Sequence, residues 1–164
     1  MQTIENNDKN QGFWQEVKDE RGDVANIHLH MAPFMEGAQA HYEFYKKIML
    51  SDSLPLSRQA REYLATQVSE SNKCPYCMAH HKKALELNHS STLSEQEKET
   101  LEKLATFAKE TPWKLSLVKE KFLRYFTEKQ WRHAIMVVGY FHMANRIAFG
   151  LNLELEDNYE KSCQ

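Results

Sequence analysis

One short stretch of the sequence carries a group of residues suited to redox chemistry. Cys74 and Cys77 are three residues apart, and His81 follows four residues after the second cysteine. Pro75 suits the first position of a helix, because its missing N–H would have no partner there. On a helix that begins at Cys74, the cysteines and the imidazole share one face, with the two Cβ atoms about 5 to 6 Å apart. This spacing permits a disulfide and puts a base beside a thiol.

Glu62 joins this group if the helices before and after Cys74 form an antiparallel hairpin. With the turn near Ser71 and Asn72, Glu62 and His81 are equally far from the turn and should lie at the same level. A carboxylate at that level would fix the tautomer of the imidazole and raise its basicity. The helix N-terminus would stabilise a thiolate at Cys74. The pattern therefore predicts a proton relay of Glu62, His81 and the two cysteines.

Two other interpretations of the cysteine pair stay open from the residues alone. Both cysteines could be small buried apolar side chains, or they could hold zinc together with His80 or His81. Structural zinc usually has four ligands, however, and the sequence has no second C-x-x-C and no H-x-x-x-H. We therefore predict neither a metal nor a cofactor. Cys163 lies in a polar segment without a neighbouring base, and we interpret it as incidental.

The roles of other polar side chains are predicted from the residues around them in the sequence. Tyr76 flanks the cysteines and His142 lies on an otherwise apolar helix, so both are candidates for a substrate pocket. Asn145 lies on the same helix, where a buried amide needs hydrogen-bond partners for structural reasons. His80 is rotated by about 100° from His81 around a helix, which predicts exposure to solvent.

The composition favours an all-α fold. Five glycines and four prolines among 164 residues leave little turn chemistry of the kind that sheets need. Residues 1–12 are polar and are predicted to be a flexible tail, and residues 13–164 a single helical domain. Capping-box patterns begin at Ser94 and at Thr127. The predicted helices run from Phe13 to Glu20, Pro33 to Leu50, Ser57 to Ser71, from Cys74 onward, Ser94 to Thr111, Trp113 to Tyr125, and Thr127 to Gly150.

The charge pattern lowers the expectation of several partner classes. The formal net charge is −2, with acidic and basic residues interspersed, so neither nucleic acid nor a membrane surface is an expected partner. The N-terminal residues resemble neither a signal peptide nor a transit peptide, and no stretch is apolar enough to span a membrane. Closely spaced cysteines are typical of redox or metal sites in reducing compartments, which predicts a cytoplasmic protein.

The run from Cys74 to Cys77, with Glu62 before it and His81 after it, resembles a known family signature. This is the E...C-x-x-C-x-x-x-H pattern of the alkylhydroperoxidase D-like branch of the carboxymuconolactone decarboxylase superfamily. In the best-known enzymes of that family a histidine occupies the place of Tyr76. The resemblance is to uncharacterised peroxidase-related members and extends over nearly the whole domain, about residues 26–153.

The resemblance implies a helical bundle built around a two-helix hairpin, homo-oligomers, and reduction of organic hydroperoxides through a reversible disulfide. By the motif, Cys77 is the thiol that attacks the peroxide, Cys74 resolves it, and His81 with Glu62 forms the relay. The implied partners are a small hydroperoxide and an external dithiol or disulfide reductase. The superfamily's decarboxylases do not need the cysteine pair, so its presence favours thiol chemistry. A disulfide reductase and a non-enzymatic redox-sensing or zinc-binding module remain alternatives.

Overall fold

The chain folds into helices throughout the part that the structure describes. The computed structural model describes residues 2–88 and 92–163, with side chains from Gly12 onward in those ranges, and no strand occurs in them. The all-α prediction is thereby confirmed. None of the helices in those ranges combines the length and apolar character needed to cross a bilayer. The helices are α1 (Gln2–Arg21), α2 (Asn26–Met31), α3 (Met35–Tyr45), α4 (Arg58–Ser71), α5 (Pro75–Leu87), α6 (Glu95–Glu110), α7 (Ser116–Phe122) and α8 (Glu128–Gly150).

The hairpin of α4 and α5 forms where the sequence predicts it. The hydroxyl oxygen of Ser57 accepts a hydrogen bond from the N–H of Ala60 at 3.2 Å and so caps α4. After α4 ends at Ser71, Lys73 adopts a left-handed backbone with φ of 58°, which reverses the chain. Pro75 then occupies the first turn of α5. This short turn brings the two helices together along their length.

The nearly continuous apolar surface of helix α8 predicts a place in the middle of the molecule, but this is wrong, because only one side of α8 is buried while Met136, Gly139 and Met143 on the other side are exposed. The predicted capping boxes at Ser94 and Thr127 are both present, and they open α6 and α8. The side chains of Val137, Phe141 and Asn145 on α8 are fully buried or nearly so. Because α8 packs against both α4 and α5, it forms the wall behind the cysteine-bearing hairpin.

Helix α1 begins earlier than the sequence predicts, because the structure shows Gln2–Arg21 as one helix rather than starting at Phe13. The mobility predicted for residues 1–12 stays a prediction. Gly22 ends α1 with a φ of +81°, which favours glycine. A Cβ atom there would also come within 2.9 Å of the carbonyl oxygen of Lys161. The end of α1 therefore packs directly against the segment that follows α8, residues 151–163, which we call the C-terminal segment.

The region predicted as one helix from Pro33 to Leu50 is divided in the structure. Helix α2 precedes it, a 3₁₀ turn spans Ala32–Phe34, and a π-helical turn at Lys46–Leu50 follows α3. Pro33 lacks an N–H for the helical hydrogen bonds, and the backbone leaves the helical region at the next residue, Phe34, with φ of −114° and ψ of 76°. Helix α7 is likewise shorter than predicted, because a 3₁₀ turn at Pro112–Lys114 precedes it.

Candidate functional site

Cys74 and Cys77 lie at the start of α5. Cys74 is the N-cap residue, with an extended backbone, and Cys77 lies in the first turn. Both side chains are buried, and both are free thiols. Cys77 lines a cavity, whereas Cys74 is not among the residues that line it. A molecule in the cavity would therefore meet the sulfur of Cys77 first.

The two neighbouring thiols differ in acidity. The Cys77 thiol and the backbone N–H groups of Tyr76 and Cys77 lower the pKa of Cys74 to about 7, against the effect of burial. The neighbouring Cys74 and burial raise the pKa of Cys77 far above its ordinary value. A single negative charge on the pair therefore rests on Cys74. Cys77 needs a base to become a thiolate.

Glu62 and His81 are in direct contact, as the hairpin argument predicts. Nδ1 of His81 lies 2.7 Å from Oε2 of Glu62, and Nε of Arg58 donates to Oε1 at 2.7 Å. Burial raises the pKa of the fully buried Glu62, but the contacts with His81 and Arg58 outweigh it and hold the pKa below its ordinary value. An ionised carboxylate at Nδ1 keeps the proton on that nitrogen. Nε2 of His81 is then free to act as a base.

A partly open cavity adjoins Cys77 and His81. The ring of His81 packs edge-on against Phe141, with centroids 4.4 Å apart. Tyr76 lines this cavity, where its position beside the cysteines suggests it should be. The cavity suits a small organic molecule with an apolar or aromatic body. Its aromatic lining consists of Tyr42, Tyr45, Tyr76, Tyr140 and Phe141.

His80 is buried, so the prediction that it is exposed is wrong. Its Nδ1 lies 3.1 Å from the carbonyl oxygen of Tyr76, and its Nε2 lies 3.3 Å from Oε2 of Glu156 without hydrogen-bonding geometry. Tyr76 donates its hydroxyl to Oε1 of Glu156 at 3.0 Å. Burial raises the pKa of Glu156, but His80 and the N–H of Asn26 lower it to about 2. The C-terminal segment packs over this face of α5 and covers His80.

His142 lies outside the cavity, which corrects its assignment to the substrate pocket. Phe141 faces the cavity, and the next side chain on α8 is turned about 100° away. Nδ1 of His142 lies 2.9 Å from Nδ2 of Asn72, which also donates to Asn145 at 2.8 Å. Asn145 in turn donates to the hydroxyl of Ser69 at 3.1 Å. These contacts tie α8 to the C-terminal end of α4.

Cys163 was interpreted as incidental, but it is buried and lines the same cavity as Cys77. Its thiol donates to the carbonyl oxygen of Tyr159 at 3.3 Å within a C-terminal 3₁₀ turn. Burial raises its pKa to about 12, so it remains a neutral thiol. No sequence signal indicated this position, because the neighbouring residues are polar.

Two histidines and a tyrosine form a buried network that the sequence analysis did not assign. The Nδ1 atoms of His28 and His41 lie 3.4 Å apart, and the hydroxyl of Tyr140 lies 3.1 Å from Nε2 of His41. Burial lowers the pKa of His28 to about 3 and that of His41 to about 4, so both rings are neutral. The place of His41 on the apolar face of its predicted helix was the signal that could have indicated burial.

The side chains considered for zinc are not arranged as a metal site. Over residues 2–88 and 92–163, no three His, Cys, Asp or Glu side chains form a group that could hold a metal ion.

Solved structures with the same fold include two proteins described as peroxidase-related. One, from Silicibacter sp. TM1040, is an uncharacterized peroxidase-related protein with a TM-score of 0.81 and 23% identity, over 96% of this chain and 90% of that one. The other, from Ralstonia eutropha JMP134, is described as an alkylhydroperoxidase AhpD core, with a TM-score of 0.80 and 19% identity, over 95% and 90% of the two chains. The chain has the AhpD-like fold. The fold that the cysteine motif implied is therefore confirmed.

The AhpD-like fold also occurs in a protein with a different printed activity. The debrominase Bmp8 superposes with a TM-score of 0.69 and 16% identity, over 98% of this chain and 93% of that one. A variant of Bmp8 has been solved in complex with 2,3,4-tribromopyrrole. No protein-family model and no curated protein matches the chain. The fold alone thus leaves open which reaction the site performs.

Proposed function

We propose that this protein is a thiol-dependent peroxidase that reduces small organic hydroperoxides through a reversible disulfide between Cys74 and Cys77. The observation that supports this most directly is the buried contact between Glu62 and His81, one turn of α5 away from a thiol on the cavity wall. A thiol with a raised pKa needs a base, and the relay supplies one beside it.

The first step oxidises Cys77. Nε2 of His81 accepts the proton of the Cys77 thiol, and the thiolate attacks one oxygen of the O–O bond. That bond breaks, the sulfur becomes a sulfenic acid, and the alkoxide takes the proton back from His81 to leave as an alcohol. Glu62 stays ionised and holds the imidazolium that forms in between.

The second step closes the disulfide. Cys74, whose pKa is lowered to about 7, attacks the sulfenic sulfur of Cys77 as a thiolate. The S–S bond forms and hydroxide leaves, taking a proton from solvent to become water. An external dithiol then supplies two electrons and two protons, becoming a disulfide itself, and restores both thiols. The low pKa of the resolving cysteine suits this order of events.

A second candidate is reductive debromination of an aromatic ring, because the cavity beside the thiols is lined by aromatic side chains and Bmp8 has the same fold. There, the two thiols would supply two electrons, the C–Br bond would become C–H, and bromide and a proton would be released. A third candidate function is the reduction of a disulfide substrate by the same two cysteines. In each alternative the same two cysteines are oxidised, but a different molecule accepts their two electrons.

The deciding experiment counts thiols after a brief treatment of the reduced protein with stoichiometric cumene hydroperoxide. We expect the loss of two thiols with no change of mass beyond two hydrogens, because the oxygen leaves as water. Cys77→Ser should retain its other thiols, whereas Cys163→Ser is the matched control and should lose two. If the wild type keeps all its thiols with hydroperoxide but loses two with 2,3,4-tribromopyrrole or a small disulfide, the peroxidase proposal is wrong.

A further inference from the structure

Arg21 places a positive charge in the wall of the cavity that contains Cys77. It is the last residue of α1, its side chain is only 7% exposed, and it lines the cavity. Among the side chains that the structure describes, no carboxylate lies within ion-pair distance of its guanidinium. A buried charge without a counter-ion is costly, so an anionic partner would be favoured there.

The known contacts of Arg21 leave much of its guanidinium unused. One N–H donates to the carbonyl oxygen of Ser162, and the guanidinium carbon lies 5.7 Å from the centroid of the Tyr45 ring. The planar guanidinium carries further N–H donors in a fork that matches a carboxylate. Arginine is therefore suited to bind a carboxylate group of a molecule in the cavity.

The position of Arg21 is fixed by the fold. Gly22 ends α1 with a left-handed backbone and packs against Lys161, so the turn brings Arg21 onto the C-terminal segment. The hydrogen bond to Ser162 then holds the guanidinium at the cavity wall. The charge is therefore part of a defined wall and does not belong to a side chain free in solvent.

The other polar groups of the cavity do not neutralise Arg21. His28 is neutral, because burial lowers its pKa to about 3. Asp23 also lines the cavity, but its carboxylate accepts the N–H of Val24 at 2.9 Å and does not pair with Arg21. Burial also keeps the Cys163 thiol neutral, because it raises the pKa of that thiol to about 12.

Resting on the proposed peroxidase function, we propose that Arg21 selects hydroperoxides that carry a carboxylate, with an aromatic-sized body between the carboxylate and the peroxide. Arg21 and His81 both lie near the Tyr45 ring, which is 5.7 Å from the guanidinium carbon of Arg21 and 6.4 Å from the centroid of His81. Since Arg21, His81 and Cys77 line the same cavity, a molecule with one substituted ring between its carboxylate and its peroxide is the size of substrate that we propose.

A matched pair of probes tests this selection. Cumene hydroperoxide with a para-carboxylate and the same compound with a para-carboxamide differ in charge and hardly in size. We expect the wild type to react with the carboxylate about tenfold faster or more, since a charge-assisted pair is lost with the amide. In Arg21→Gln the ratio of the two rate constants should fall to about one, and Arg21→Lys should restore part of it.

Lys18→Gln is the matched control, because it removes one positive charge from the same last turn of α1 at an exposed side chain. It should keep the wild-type ratio. Equal rates for the two probes in the wild type, or an equal loss of preference in Lys18→Gln and Arg21→Gln, would overturn the proposal.

A second measurement separates this proposal from the peroxidase function itself. The unreactive 4-isopropylbenzoate should slow alkylation of Cys77 by iodoacetamide in the wild type, and 4-isopropylbenzamide should not. Arg21→Gln should lose this protection. If no hydroperoxide oxidises the thiols but the benzoate still protects them, anion binding at Arg21 stands and the peroxidase function falls. If hydroperoxides react but the benzoate gives no protection, selection by Arg21 is overturned.

Discussion

The neighbouring residues His80 and His81 each face a buried or half-buried carboxylate, but the two pairs are built differently. His81 lies 2.7 Å from Glu62, whose other oxygen accepts from Arg58, so the whole carboxylate is paired. His80 lies 3.3 Å from Glu156 without hydrogen-bonding geometry. The first pair is hydrogen-bonded, whereas the second is not, because the proton on Nδ1 of His80 is donated to the carbonyl oxygen of Tyr76 instead.

The difference follows from where each carboxylate comes from in the chain. Glu62 lies on α4, and the hairpin holds it opposite His81 on α5. Glu156 lies after α8, where its other oxygen accepts from Tyr76 and from the N–H of Asn26. The first pair is therefore arranged to move a proton beside a thiol. The second joins the C-terminal segment to α2 and α5.

The largest expected effect is on the rate of Cys77 oxidation, and it distinguishes His81 from His80. His81→Gln should lower the rate of Cys77 oxidation by about 10²- to 10⁴-fold, the usual contribution of a general base. His80→Gln should lower it by less than about threefold, because its Nδ1 is bonded to the carbonyl oxygen of Tyr76 and its Nε2 has no hydrogen bond to a carboxylate. Stopped-flow measurement with cumene hydroperoxide checks both variants. Similar losses in both would remove the distinction between the pairs.

The next effect concerns stability. Glu62→Gln leaves the guanidinium of Arg58 without its counter-ion and should lower the free energy of unfolding by about 3 kcal/mol. Glu156→Gln keeps most of its hydrogen bonds and should cost about 1 kcal/mol. Urea unfolding at pH 7 measures both values. A larger cost for Glu156→Gln would show that the C-terminal contact stabilises the fold more than the buried relay does.

A third and smaller effect contrasts these pairs with His28 and His41, which form no ion pair with a carboxylate among the described side chains. Their pKa values are lowered to about 3 and about 4, so between pH 6.5 and 4 the unfolded chain binds protons that the folded chain does not. The free energy of unfolding should therefore decrease as the pH is lowered through that window, by about 1.4 kcal/mol per pH unit for each histidine. His28→Gln should flatten this slope in urea titrations. An unchanged slope would assign the loss to other groups.

Local patterns predicted the part of the site that lies on the hairpin. The cap at Ser57, the proline at the start of α5 and the i, i+4 spacing of Cys77 and His81 are properties of neighbouring residues. The position of Glu62 level with His81 followed from counting residues to the turn, because a hairpin fixes which residues of its two helices lie opposite each other.

The remaining parts of the site depend on long-range packing that periodicity does not contain. Arg21, Cys163 and Glu156 reach the cavity through the return of the C-terminal segment over α1 and α5. That segment is polar, so its burial had no apolar signal. His142 was misplaced for a related reason: being on an apolar helix does not say which neighbour a given side chain faces.

The pH dependence of Cys77 oxidation by cumene hydroperoxide, compared between wild type, Glu62→Gln and Glu156→Gln, tests the central role of the relay most directly. The account predicts a slower reaction in Glu62→Gln and a rising limb of the rate–pH profile that differs from that of the wild type, because the carboxylate that holds the proton on Nδ1 of His81 is lost. In Glu156→Gln, the rising limb of the rate–pH profile should coincide with that of the wild type. Coinciding limbs in wild type and Glu62→Gln would contradict a proton relay through Glu62 and His81.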